Sequence, residues 1–275
     1  MENIKYDTLS NDGLVGFLEE PHTYTYLPDP TIKFRSGSSI SKKYEVEQDW
    51  DAIAEAYKKK HGMSESVEEI RAMWAEKGRI ASELGTGLHE YGEKKLWQGL
   101  DFDFETDDPR KQMVEDFVAY MRREGFEYEQ VEKLVYRLDA GVPLCGLIDM
   151  ELYKIDPETG EKKFYIYDYK FVGKSLDKTG FYKKGVGVTK MTGPFKNLPD
   201  TNFYHYSIQQ AMYAFLDDNK IEEKVLVEFT PKGWKMVPCH PIEFFIEDGK
   251  LRVKVGKIKK KKRVYKKKTR KIFNK

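Results

Sequence analysis

The residues of this chain whose types and spacing could do chemistry are Asp149, Asp168 and Lys170. They sit in Gly146-Leu147-Ile148-Asp149 and Ile166-Tyr167-Asp168-Tyr169-Lys170. Asp168 and Lys170 are two apart in a run with strand character, so both side chains leave one face while Tyr167 and Tyr169 leave the other. The turn signal Asp156-Pro157-Glu158-Thr159-Gly160 links this run to a strand over 144–154, which lets Asp149 lie beside Asp168. Two carboxylates on one face repel unless a cation joins them, and hard oxygen ligands favour Mg²⁺ or Mn²⁺. A lysine beside them can orient or help deprotonate a water and neutralise charge on a phosphate. Exposed strand carboxylates with a lysine partner would have the same D-x-K spacing. Both aspartates, however, lie inside strongly apolar runs, where a charge needs a purpose.

Further candidates flank these strands. His89 ends Gly85-Thr86-Gly87-Leu88-His89, with Glu90 and Glu93 beside it, both read as a solvated helical face. Glu132, on the strand before Gly146, fits either an approach to the metal or a strand-edge salt bridge. Gln209 and Tyr213 are four apart in Gln209-Gln210-Ala211-Met212-Tyr213 and share one helical face.

Taken in order, these four elements resemble the PD-(D/E)XK nuclease superfamily, and within it the RecB-like exonuclease branch. Gly146…Asp149 matches the G-x-x-D strand, Asp168-Tyr169-Lys170 the D/E-x-K strand, Gly85…His89 the G-T-x-x-H helix and Gln209…Tyr213 the Q-x-x-x-Y helix. The resemblance covers about residues 80–216 and extends in layout to phage nucleases and the mitochondrial genome maintenance exonuclease. It implies a restriction-endonuclease-like core with Asp149, Asp168 and Lys170 as catalytic residues. His89, Asp149, Asp168 and the Tyr169 carbonyl would hold Mg²⁺ or Mn²⁺. Gln209 and Tyr213 would orient the site or contact a DNA phosphate, with Gln210 taking the glutamine role if the helix phase differs. Helices ahead of Gly85 would wall the site and favour threading of a free end.

The expected substrate is DNA, at linear ends and with single-stranded segments. The connection over 172–200 is rich in glycine and lysine, and Lys174, Lys183 and Lys184 are placed to follow a DNA backbone directly after Lys170. Phe181, Tyr182 and Phe195 could stack on unpaired bases. A Gly/Lys loop is equally an ordinary solvated surface. Residues 251–275 hold 14 of the 48 basic residues and no acidic one, so the other 250 residues carry a net charge of −12. An acidic body with a basic tail suits a protein that holds a polyanion near acidic chemistry.

These residues must be positioned by an ordered scaffold, and the composition permits one. The chain has 275 residues, 40% hydrophobic, 14% aromatic and 34% charged, as in a globular domain with appendages. No apolar run approaches the ~18 residues of a membrane span, and the N-terminal residues lack a signal-peptide pattern. A cytoplasmic location is expected, in the host if the chain is phage-encoded. Cys145 and Cys239 read as buried thiols, too few for an iron–sulfur cluster, and His22, His61, His89, His205 and His240 show no zinc spacing.

The patterns predict a hairpin over 15–36 turning at Leu27-Pro28-Asp29-Pro30, then helices over 48–60 and 64–98, the latter broken near Gly85. A helix from Pro109 to about Gly125 follows, then three strands, a helix over 204–218 and strands over 225–230 and 234–237. The fold class is α+β: a mixed central β-sheet flanked by helices, with an N-terminal helical elaboration. The expected organisation is an elaboration over 1–79, the nuclease core over 80–250 and a basic tail over 251–275. The function that follows is a metal-dependent DNA exonuclease of recombination, repair or replication. A structure-specific endonuclease of the same fold and a non-catalytic DNA-binding protein are the alternatives.

Overall fold

The structure is a computed structural model and describes residues 5–180, 182–183 and 187–257. Strands β1 (Thr8–Leu9), β2 (Val15–Leu18) and β3 (Thr23–Tyr26) form a small antiparallel sheet. Its tight turn is Glu19–His22, between Leu18 and Thr23, so the predicted turn at Leu27–Pro30 lies one element too late. Strand β4 (Arg35–Ser36) leads into α1 (Gly37–Lys42), capped by the Ser36 hydroxyl accepting from Ser39 N–H. Helix α2 (Trp50–His61) runs from an Asp49 cap to Gly62, whose φ of +62° suits a left-handed stop.

Helix α3 (Val67–Glu90) opens with a complete capping box between Ser66 and Glu69. It does not break at Gly85; it continues into a π-helical segment, Tyr91–Trp97. Glycine there serves packing: a Cβ on Gly92 would stand 2.6 Å from the Tyr169 ring. Next come α4 (Arg110–Arg123) and the long strands β5 (Glu127–Arg137), β6 (Leu144–Ile155) and β7 (Lys162–Phe171). The 172–200 connection holds the short pair β8 (Tyr182–Lys183) and β9 (Gly187–Val188) and a 3₁₀ turn at Gly193–Phe195. Helix α5 (Asn202–Leu216), β10 (Ile221–Thr230) and β11 (Gly233–Pro238) follow. The chain then forms a hairpin, β12 (Ile242–Glu247) and β13 (Lys250–Val255). The tail expected from residue 251 therefore begins as a paired strand, and alternating Lys/Arg with Leu and Val is the period-2 pattern that lysine content obscured.

The protein is thus a mixed α/β fold with a six-stranded mixed sheet of order β11-β10-β7-β6-β4, β5 lying along the other edge of β6. Helix α5 covers one face over Ile148, Ile166 and Leu226. Helix α4 covers the other over Met150, Tyr167, Tyr169 and Val227. No helix among the described residues is long and apolar enough to cross a membrane. Cys145 is buried, whereas Cys239, expected to be buried, is only half so.

One detail of register sets up the site. Strands β6 and β7 pair from Ile155↔Lys162 to Met150↔Tyr167, and there the ladder stops. The next pair would be Asp149 and Asp168. Beyond it β4 takes over the same edge of β6 at Leu144 and Cys145, leaving Gly146–Asp149 without a strand partner on that side among the described residues. The sheet forks where the two carboxylates meet.

Candidate metal centre

The alternation along β7 sends Ile166, Asp168 and Lys170 towards α5 and the tyrosines into the opposite core, as the spacing predicts. Asp168 is buried at 1% exposure. Its Oδ1 accepts from Lys170 Nζ at 2.7 Å, while the buried Oδ2 has no donor among the described residues, the carboxyl adjoining that of Asp149. Lys170 Nζ also lies over the Tyr206 ring of α5, 4.4 Å from its centroid. Burial first, and the Asp149 charge second, push the Asp168 carboxyl well above the usual carboxylate range. Asp149 is raised too, chiefly by burial, against the pull of Lys170. For Lys170 burial acts downward, but Asp168 and Asp149 outweigh it and hold the ammonium above its ordinary value.

His89 reaches this group from the end of α3. Its Nε2 is 3.0 Å from the Tyr169 carbonyl oxygen, and its Nδ1 is 3.4 Å from Glu93 Oε1 and 3.7 Å from Asp149 Oδ2. The ring is braced by Tyr169 and Phe171 at centroid distances of 5.5 and 5.3 Å. Behind it Trp97 donates to the buried Tyr169 hydroxyl at 3.1 Å. Three groups singled out from the sequence, His89, Asp149 and the Tyr169 carbonyl, therefore meet at the fork, and Asp168 adjoins them through Asp149.

Glu93 corrects the sequence reading. Expected on a solvated face, it is 3% exposed and turned inward beside His89. Burial raises its carboxyl, opposed by His89. Ligand atoms of His89, Glu93 and Asp149 lie within 4.8 Å of one another. The His89–Glu93 spacing of four was the available signal, and the π-helical turn then carries Glu93 inward. Glu90, partly exposed, pairs with Lys94 at 2.7 Å. Glu132 lies on β5 across the ladder from Asp149 and holds a φ of +48°, a conformation that costs a non-glycine residue of order 1–3 kcal/mol. Among the described residues it forms no salt bridge, and it lines a cleft of about 160 Å³ with Glu19, Glu90, Glu93, Asp149 and His89.

The donor set suits a hard divalent cation. The site offers carboxylates, a carbonyl and an imidazole, and among the described residues the buried Asp168 Oδ2 has no donor. His89 Nε2 stands at hydrogen-bond distance, 3.0 Å, from the Tyr169 carbonyl oxygen. His89 Nδ1 faces the Glu93 and Asp149 carboxylates, and a carboxylate beside a ligand histidine fixes its tautomer and orientation. Glu93→Gln is expected to weaken Mn²⁺ binding by about 10–100-fold with little change in melting temperature, read by calorimetric titration. An unchanged affinity would remove Glu93 from the site.

Helix α5 supplies the other wall. Gln209 Nε2 donates to the Tyr213 hydroxyl at 2.8 Å, and Gln210 is turned into the core, so the helix phase selects Gln209. Tyr213 is 5% exposed and lies flat on Gly146, where any Cβ would overlap its ring. That close approach is the physical reason for glycine in the Gly146…Asp149 element. Gly146→Ala is expected to cost about 1–3 kcal/mol, measured by urea unfolding, and to slow turnover by displacing Tyr213. Lys174 is exposed directly after β7. Lys183 belongs to β8, with its side chain not described; Lys184 and Phe181 lie outside the described residues, as does the tail beyond Lys257. Scans for known relatives find no matching family model, curated protein or solved structure.

Proposed function

We propose that this chain is a metal-dependent DNA nuclease with a restriction-endonuclease-like core, acting as an exonuclease of the RecB-like kind. The observation that carries the reading is the fork of β6 and β7 at Asp149 and Asp168, with Lys170 bonded to Asp168 and His89 beside Asp149. A structural ion pair would need neither the Asp168 oxygen without a donor nor the interrupted ladder. Mg²⁺ or Mn²⁺, held by His89, Asp149, Asp168 and the Tyr169 carbonyl, would polarise the phosphate and supply a more acidic water.

The protein's own groups then have distinct tasks. Lys170, kept cationic by its two aspartates and steadied by Tyr206, offsets charge on the phosphate and orients the attacking water. Gln209 is the α5 group exposed enough to meet a phosphate; buried Tyr213 holds it by the hydroxyl contact. Lys174 extends the cationic path away from Lys170. Glu19, Glu90 and Glu132 line the same cleft as His89 and Asp149, and their charge favours a bound cation there.

The test is cleavage of end-labelled linear DNA and of circular single-stranded DNA with Mg²⁺ or Mn²⁺. Loss of linear substrate with intact circles is the expected result; cut circles would make the enzyme an endonuclease. Lys170→Ala should abolish cleavage and spare DNA binding. Binding without cleavage by the unaltered chain would leave a non-catalytic DNA-binding protein.

A further inference from the structure

A second concave surface lies away from the metal centre, between the end of α1, the 193–195 turn and the β12–β13 hairpin, with a volume of about 500 Å³. Its floor is apolar, made by Ile40, Phe195 and Phe244, all buried. Phe245 is 36% exposed at its edge, and Tyr44, half-buried, packs edge-on against Phe195 at 5.2 Å. Arg35 and Lys43 stand exposed on the rim, and neither has an ion-pair partner among the described residues. Arg252 is the third cation, tied to Glu247 at 3.4 Å. The lining therefore nets +2 on a body whose residues before 251 net −12.

We propose that this groove binds a single-stranded nucleic-acid segment, with bases against Phe245 and Tyr44 and phosphates on Arg35 and Lys43. The inference rests on the nuclease reading and extends it to a site for the strand outside the catalytic fork. Unpaired bases have apolar faces and an anionic backbone, and bind where aromatic side chains interleave with cations. The volume falls in the roughly 300–1,000 Å³ range of pockets for compact ligands, which admits unpaired bases and excludes a duplex.

Continuity with the metal centre favours a strand over other anionic partners. Arg35 pairs with Leu144 of β6, five residues and therefore roughly 16 Å along the strand from Asp149. The intervening Gly37 is placed so that a Cβ would stand 3.2 Å from the Tyr213 ring and 3.3 Å from Gln209. A backbone leaving Gln209 would thus pass α1 and reach the Arg35 rim.

Fluorescence anisotropy of labelled oligo(dT), with the full chain in EDTA at physiological salt, tests this without cleavage. Arg35→Glu/Lys43→Glu should weaken binding at least tenfold and make the salt slope shallower by about two. Phe245→Ala should weaken it at least fivefold and leave the slope unchanged. The same charge change at the far end of the sheet, Arg123→Glu/Lys220→Glu, should stay within twofold of the parent. Groove variants that bind like the parent overturn the proposal and leave an acidic protein segment as the groove's occupant. A control that falls equally, or no binding by the parent, overturns it too. Cleavage with Mg²⁺ separates the readings: cleavage with unaffected groove variants sinks the groove alone, and groove-dependent binding without cleavage sinks the nuclease alone.

Discussion

Asp168→Asn should destroy activity and at the same time make the metal-free protein more stable. The expected loss of cleavage is on the order of 10⁴–10⁶-fold, the scale of removing a residue that acts as part of a catalytic unit. The gain in stability follows from charge. Asp149 and Asp168 adjoin at the fork with Lys170 as their near cation; burial raises both carboxyls, and the Asp149 charge raises Asp168 further. Asparagine keeps the shape and can still accept from Lys170, but removes one of the two negative charges. A gain of about 1–2 kcal/mol is expected, or about 2–6 °C in melting temperature for a chain of this size. Saturating Mg²⁺ should reverse the order, because a ligand that binds only the folded state stabilises by about 2.7 kcal/mol at 100 times its Kd, and the variant has lost a carboxylate ligand. Thermal melts in EDTA and in Mg²⁺ read both effects. If Asp168 served only to pair Lys170, the sign in EDTA would be opposite: breaking a buried pair costs about 3–5 kcal/mol.

The sequence made the carboxylate strands legible because period-2 alternation and a five-residue turn determine which side chains share a face. The same logic placed Gln209 and Tyr213 on one helical face. Glu93 escaped it, since a regular helix leaves His89 plus four on the same stripe but says nothing of depth, and π-helical winding decides that. The glycines near His89 suggested a break because glycine weakens helices in isolation; here Gly92 is where Tyr169 packs closely, a tertiary cause. The β12–β13 hairpin was hidden for the opposite reason. Its lysines and arginines continue into the basic run, so composition masked an alternation that only pairing makes plain. The fork itself had no sequence signal: Asp149 opposite Asp168 follows from register, but the end of the ladder there follows from β4 and Tyr213 occupying the space beyond.

Lys133→Met should be the most destabilising substitution in the scaffold, by about 3–5 kcal/mol. Lys133 lies on β5 with a side chain 7% exposed, its Nζ 2.7 Å from Glu151 Oε2 and 2.8 Å from Asp217 Oδ1. Both carboxylates are fully buried. Asn219 completes the group, donating from its side chain to Glu151 at 2.7 Å and from its backbone to Asp217 at 2.8 Å. Methionine fills the same volume, so the loss is electrostatic: two buried carboxylates remain with only amide donors. The deficit should shrink as pH falls. Burial already raises Glu151 despite Lys133, and without the lysine Glu151 rises further. A carboxyl whose folded value lies above its unfolded one adds stability as the pH drops through the folded value. Adding Glu151→Gln and Asp217→Asn to Lys133→Met should restore most of the stability at neutral pH, which assigns the loss to charge rather than packing. Asp217 caps the end of α5, the helix that carries Gln209 and Tyr213. The network therefore ties the sheet to the helix that walls the metal centre, and Lys133→Met should slow cleavage below its melting temperature while leaving Mn²⁺ affinity unchanged.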